Sequence, residues 1–201
     1  DDMAADTVGL LDALEIPAAH LVGMSMGGMI SQIVAGRYPD RVLSLTSIMS
    51  TSGERGKGEA SIKVSLKMVQ PASKGKTPLD IAVEIWQMLG GPAYPMTDDA
   101  IRAQVIAEHK RSSNPAGYMR QIAAIRTSPS RVTLLKSIKA PTLIIHGNQD
   151  LLVPVSGGID TAKHITHSEL VRFEGMGHTL PDALLETFAD LILKNSIATA
   201  T

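Results

Sequence analysis

The sequence contains no cysteine. Disulfides, thiolate nucleophiles and cysteine-ligated metals are therefore excluded, although that absence does not by itself fix a compartment. An excess of one charge sign is also missing. The 201 residues carry 19 basic and 20 acidic side chains, a net charge of −1. With no basic cluster, a nucleic-acid partner has no electrostatic support. No apolar run approaches the roughly 18 residues that a membrane span needs. Neither a signal peptide nor an internal repeat nor a low-complexity tract is visible. A cytoplasmic location is the expectation. What is present is an ordinary globular balance, 44% hydrophobic and 19% charged, and enough chain for one sizeable domain with a small subdomain.

Apolar periodicity alternates along the chain. Residues 2–15 place Ala4, Val8 and Leu11 at helical spacing, with Pro17 ending the helix. A strand follows at 19–23. The next helix, about 27–37, pairs Met29 with Ile33 and Ile30 with Val34. "RVLSLTSIM" (41–49), "PTLIIHG" (141–147) and "ELVRFEG" (169–175) read as strands. A helical stretch at 155–165 separates the last two, and a helix at 181–194 aligns Leu184, Phe188 and Leu191. Strands that alternate with helices predict an α/β fold with a mostly parallel sheet.

The gap between the second and third strands is too long for a plain crossover, because a strand–helix–strand unit takes about 30 residues. It opens on the polar join "SGERGKGE" and then shows capped helices. Thr77-Pro78 fits N-cap and first helical position ahead of Ile81, Ile85 and Met88. Thr97 can cap a helix holding Ile101 and Val105, and Asn114-Pro115 one with Tyr118, Ile122 and Ile125 in phase. We expect a helical lid over 53–138, with 1–52 and 139–201 forming the core.

One turn stands apart. "AHLVGMSMGGMISQIVA" (19–35) runs from strand to helix through Gly23-Met24-Ser25-Met26-Gly27. A serine hydroxyl is a poor nucleophile without a base to take its proton, and it must stand clear of the sheet. A tight strand-to-helix turn achieves this by straining the serine backbone. Side chains at Gly23 and Gly27 are expected to clash with the neighbouring strand and helix. The N–H of Met26, at the positive end of the helix, would be the first oxyanion donor. A dinucleotide-binding turn is the rival, but it wants G-x-G-x-x-G, and the first pair of glycines is absent.

A serine nucleophile on such a turn needs an acid and a base in the order Ser, Asp, His. Asp150 follows the strand "TLIIHG", and His178 follows the last strand in "EGMGHTLP". Both fall at carboxyl ends of parallel strands, where ligands of such sheets bind. Alone, Asp150 reads equally well as a turn residue, and for His178 a solvated loop residue is the favoured reading; the joint placement carries the argument. His146 sits at a strand end ahead of Asp150 and reads as structural. His109 belongs to a lid helix. His164 and His167 are the only close histidine pair, too few for a zinc site, so no metal is expected.

"GMSMGG", "HGNQDLLVP" and "GMGHTLP", in this order, resemble the α/β-hydrolase superfamily, with a flavour similar to aclacinomycin-methylesterase-like enzymes and, around "GMSMGGMISQ", to 3-oxoadipate enol-lactonases. The resemblance implies helices on both faces of the sheet, Ser25 as nucleophile, His178 as base then acid, Asp150 as its orienting group, and hydrolysis of a carboxylic ester without a cofactor. Thr179 departs from the acidic residue often found after the histidine. The larger departure is that the nucleophile turn follows the fifth strand in this fold, and nothing before it here reads as a strand. The resemblance thus implies a partial fold, without the loop that normally supplies the second oxyanion N–H. It also leaves one edge of strand 19–23 to be covered by a second copy of the chain or by a preceding segment. Enol-lactone and carbon–carbon hydrolysis use the same triad. A catalytically impaired assembly module is the reading from a different class. Among the ten methionines, Met24 is a candidate for the substrate pocket, together with Trp86 and Tyr94 on the lid.

Overall fold

The computed structural model describes residues 1–69, 75–112 and 114–198. Four strands, β1 (Ala19–Met24), β2 (Val42–Ile48), β3 (Thr142–Gly147) and β4 (Ser168–Phe173), form one sheet in the order β1-β2-β3-β4. Every pairing is parallel. All six residues of β3 are buried, as expected of a strand covered on both faces.

Two apolar clusters lie on the two faces. On one, α1 (Asp2–Ala13) and α2 (Met26–Arg37) bring Val8 and Val34 against Leu45 of β2. On the other, α9 (Leu185–Ile197) sets Phe188 against Leu143 and Ile145. Phe188 also meets Phe173 of β4 edge to face, centroids 5.2 Å apart. Burying one such side chain is worth about 1.5–3 kcal/mol, so α9 is held chiefly by this residue and its in-phase neighbours. Helix α8 (Ser156–His164) packs on β3 and β4.

Helix α1 stops earlier than its proline suggests. Glu15 takes a left-handed conformation at φ 55°, and the Ile16 N–H bonds back to the Leu11 carbonyl at 2.9 Å. That reverse turn, not Pro17, satisfies the last carbonyls of the helix.

Between β2 and β3 lie α3 (Ile62–Val69), α4 (Pro78–Gly90), α5 (Asp98–Arg111), α6 (Pro115–Thr127) and the short α7 (Val132–Leu135). Thr77 caps α4 in a reciprocal box with Asp80, while Thr97 and Asn114 accept from the backbone at the starts of α5 and α6. Residues 70–74 and 113 of the 53–138 stretch lie outside the described residues. Its last turn is continuous with the core: Leu135 and Ile138 pack with Val34 and Leu45. No helix among the described residues is long and apolar enough to cross a membrane.

Candidate active site

Three loops meet at the carboxyl edge of the sheet. The β1 ladder continues into the serine turn, where the Ser25 N–H bonds the Ile48 carbonyl at 2.8 Å. Ser25 sits at φ 53°, ψ −117°, a conformation that an L-residue adopts only at a cost of about 1–3 kcal/mol. Met26 opens α2, so its N–H is one of the first-turn donors that the helix cannot satisfy itself. A Cβ on Gly23 would stand 2.3 Å from the Gly27 carbonyl oxygen and 2.6 Å from the Ser31 hydroxyl. Glycine is thus required at 23. Gly27 is different, because a Cβ there meets nothing within 4 Å; it lies on the open side of the first helical turn. The second glycine demanded by packing is Gly28, whose Cβ would fall 2.7 Å from that of Ser50.

Asp150 lies in a tight turn after β3. Its Oδ1 accepts the N–H groups of Leu152 (2.9 Å) and Val153 (2.8 Å). Oδ2 accepts from His178 Nδ1 at 2.6 Å. With Nδ1 so engaged, the Nε2 atom of His178 is the one left for chemistry. The histidine loop is pinned from two sides. Gln149 N–H donates to the Met176 carbonyl at 3.0 Å, and the N–H groups of Gly177 and His178 donate to the carbonyls of Gly90 (3.2 Å) and Leu89 (2.6 Å) at the end of α4. The Ser25 hydroxyl makes no hydrogen bond among the described residues. The structure therefore joins Asp150 to His178 directly and brings Ser25 to the same edge without closing the last link.

His146 is fully buried and supports the loop instead. Its Nε2 is 2.7 Å from the Val153 carbonyl and 3.6 Å from Asp150 Oδ2. Burial holds its proton affinity below the ordinary histidine range, so the ring is neutral and Nε2–H donates to that carbonyl. His164 Nδ1 rests on the Asp160 carbonyl at 2.8 Å, and among the described residues no three acidic or histidine side chains cluster as metal ligands do.

A cavity of about 590 Å³ opens over the turn, with Ser25 and Met26 on its wall. Tyr118, Ile122 and Ile125, the in-phase face of α6, also line it. Met24, Trp86 and Tyr94 are not on the wall. Met24 ends the edge strand with its side chain 37% exposed. Tyr94 packs on the cluster of Ile48, Met49 and Phe188, while Trp86 sits on α4, which contributes nothing to this cavity. Met29, Met68 and Arg131 do line it. Sequence reasoning passed over them: Met29 read as a helix core residue, and Arg131 had no pattern to mark it.

A family model described as alpha/beta hydrolase fold matches residues 1–63. The chain is 29% identical over 222 residues to rhodomycin D methylesterase DauP of Streptomyces sp. (strain C5), covering 98% of this chain and 73% of that protein. It is 28% identical over 171 residues to 3-oxoadipate enol-lactonase 2 of Acinetobacter baylyi, covering 85% of this chain and 61% of that one. Its backbone superposes on the 2-hydroxy-6-oxo-6-phenylhexa-2,4-dienoate hydrolase BphD of Rhodococcus sp. strain RHA1 with a TM-score of 0.73 at 18% identity, covering 96% of this chain and 68% of that structure. With a parallel sheet clothed on both faces and a strained serine turn at its carboxyl edge, the chain has a partial α/β-hydrolase fold and is similar in sequence to hydrolases of that superfamily.

Proposed function

We propose that the protein is a serine hydrolase that cleaves a small carboxylic ester through an acyl-enzyme, with no cofactor. The observation that carries this reading is the 2.6 Å bond from His178 Nδ1 to Asp150 Oδ2, made at the same sheet edge as the strained Ser25. In this reaction His178 Nε2 takes the Ser25 proton as Oγ bonds to the acyl carbon. The Met26 N–H stabilises the oxyanion. His178 then protonates the departing alcohol, and afterwards activates the water that releases the acid. Asp150 holds the tautomer and balances the imidazolium. Substrate binding has to close the gap between Ser25 and His178, as catalytic hydrogen bonds often tighten only in the complex. The helices between β2 and β3 act as a lid over the acyl group.

Turnover of 4-nitrophenyl butyrate by the wild type, Ser25→Ala and His178→Ala tests the proposal. Each variant is expected to lose about 10⁴-fold or more in kcat. Equal rates in all three would reject it and leave the impaired-module reading. Enol-lactone or carbon–carbon hydrolysis is the second reading, favoured by the likeness to an enol-lactonase. A panel of lactones and vinylogous diketones run beside the ester separates these reactions.

A further inference from the structure

Arg131 is out of place for an arginine. It is 6% exposed, yet among the described residues its guanidinium forms no ion pair with a carboxylate. Its backbone N–H bonds the Ser52 carbonyl at 2.8 Å. Its Nε donates to Gln32 Oε1 at 3.0 Å, and Nη2 to the Thr51 carbonyl at 2.6 Å. Gln32 is itself fixed, because its Nε2 donates to the Ser47 hydroxyl at 3.1 Å. The planar fork is thereby locked, with only two of its five N–H donors used.

Arg131 lies on the wall of the cavity that also carries Ser25. Gly53, on the same wall, leaves room beside the guanidinium. A Cβ at 53 would come within 3.2 Å of Nη1, and the backbone there has φ 74°. The other charged groups on the wall are Lys57 and Arg126, both cationic, and Glu54 and Glu59. Each carboxylate has a different engagement: Glu54 Oε2 accepts from Ser130 Oγ at 2.8 Å, and Glu59 Oε1 from the Gly56 N–H at 2.9 Å. Burial lowers the proton affinity of Arg131 to about 10, so it is still cationic at neutral pH. A buried charge without a counter-charge is costly, and a bidentate carboxylate is the partner that a guanidinium fork fits best.

We propose that Arg131 is the specificity residue of this cavity and selects substrates that carry a carboxylate remote from the bond to be cleaved. The substrate class is then a monoester, or an equivalent acyl compound, of a dicarboxylic acid. This rests on the reading of Ser25 as the nucleophile, and it narrows that reading from any small ester to an anionic one.

Two measurements test it. The first is calorimetric binding of adipate and of neutral adipamide to the Ser25→Ala protein, which needs no turnover. Adipate is expected to bind at least tenfold tighter. Arg131→Gln in the same background should erase the preference, and Arg131→Lys should keep part of it. Equal binding of the two probes when Arg131 is present overturns the proposal, even if Arg131→Gln fails to fold; so does a preference that survives Arg131→Gln. The second is the ratio of kcat/KM for 4-nitrophenyl hydrogen adipate over 4-nitrophenyl hexanoate. This acyl chain is long enough to discourage internal attack by its own carboxylate. The ratio is expected to fall at least tenfold in Arg131→Gln. An arginine that only supports the fold would lower both esters together, and that result rejects the proposal. If no ester is turned over by Ser25, the proposed function fails, while the binding measurement still judges Arg131 as an anion site.

Discussion

Asp150 and His178, 28 positions apart in sequence, share a 2.6 Å hydrogen bond, and the second Asp150 oxygen is taken by two backbone N–H groups. The carboxylate therefore has one orientation, and it fixes which imidazole nitrogen carries the proton. Asp150→Asn keeps the size and an acceptor oxygen but presents an N–H₂ group towards His178. We expect kcat for 4-nitrophenyl butyrate to fall about 10⁴-fold, with an unchanged far-UV circular dichroism spectrum. A loss under tenfold would show that His178 does not depend on this pairing.

The two glycines flanking Ser25 should behave oppositely. Gly23→Ala drives a methyl group into the Gly27 carbonyl and is expected to cost about 2 kcal/mol or more in urea unfolding. Gly27→Ala meets open space within α2 and should be neutral or stabilising by about 0.5–1 kcal/mol.

His146 gives stability a pH dependence. Burial lowers its folded-state proton affinity, while the unfolded chain titrates near 6.5. Above that pH neither state holds the proton. Below it the unfolded chain takes up a proton that the folded one refuses, so stability is lost as pH falls. The thermal midpoint of the wild type should drop more steeply from about pH 7.5 to about pH 5 than that of His146→Gln. Parallel slopes would remove His146 from the account.

Strand β1 is bonded only to β2 among the described residues, and Val22 on it is half exposed. An open strand edge of this kind is a template for another strand. We expect this 201-residue chain to self-associate at micromolar concentration, and Val22→Lys to weaken the association in light scattering. A monomer in both proteins goes against it.

The site was legible where chemistry and backbone period coincide. Ser25 follows β1 at once, and Asp150 and His178 lie three and five residues past the ends of β3 and β4, so strand ends placed them on one edge. Thr77, Thr97 and Asn114 announced their helices because a cap is a local bond. What depends on contacts between distant segments was not legible. Gly27 shared the motif of Gly23 but not its crowding. Tyr94 and Trp86 were apolar and on the insertion, yet the face a helix or loop turns inward is set by neighbours that spacing does not identify. Arg131 is defined by Gln32, Thr51 and Gly53, roughly 80–100 positions upstream, and its own flanks say nothing of burial.

The attachment of the histidine loop to the last turn of α4 carries one more consequence. The amide of His178 hangs on the Leu89 carbonyl, so α4 cannot swing outward without dragging the imidazole off its aspartate. If His178 is the base, as proposed, displacing α4 and keeping that base primed exclude one another. On the proposed mechanism, a compound that forces α4 aside would meet a disarmed serine.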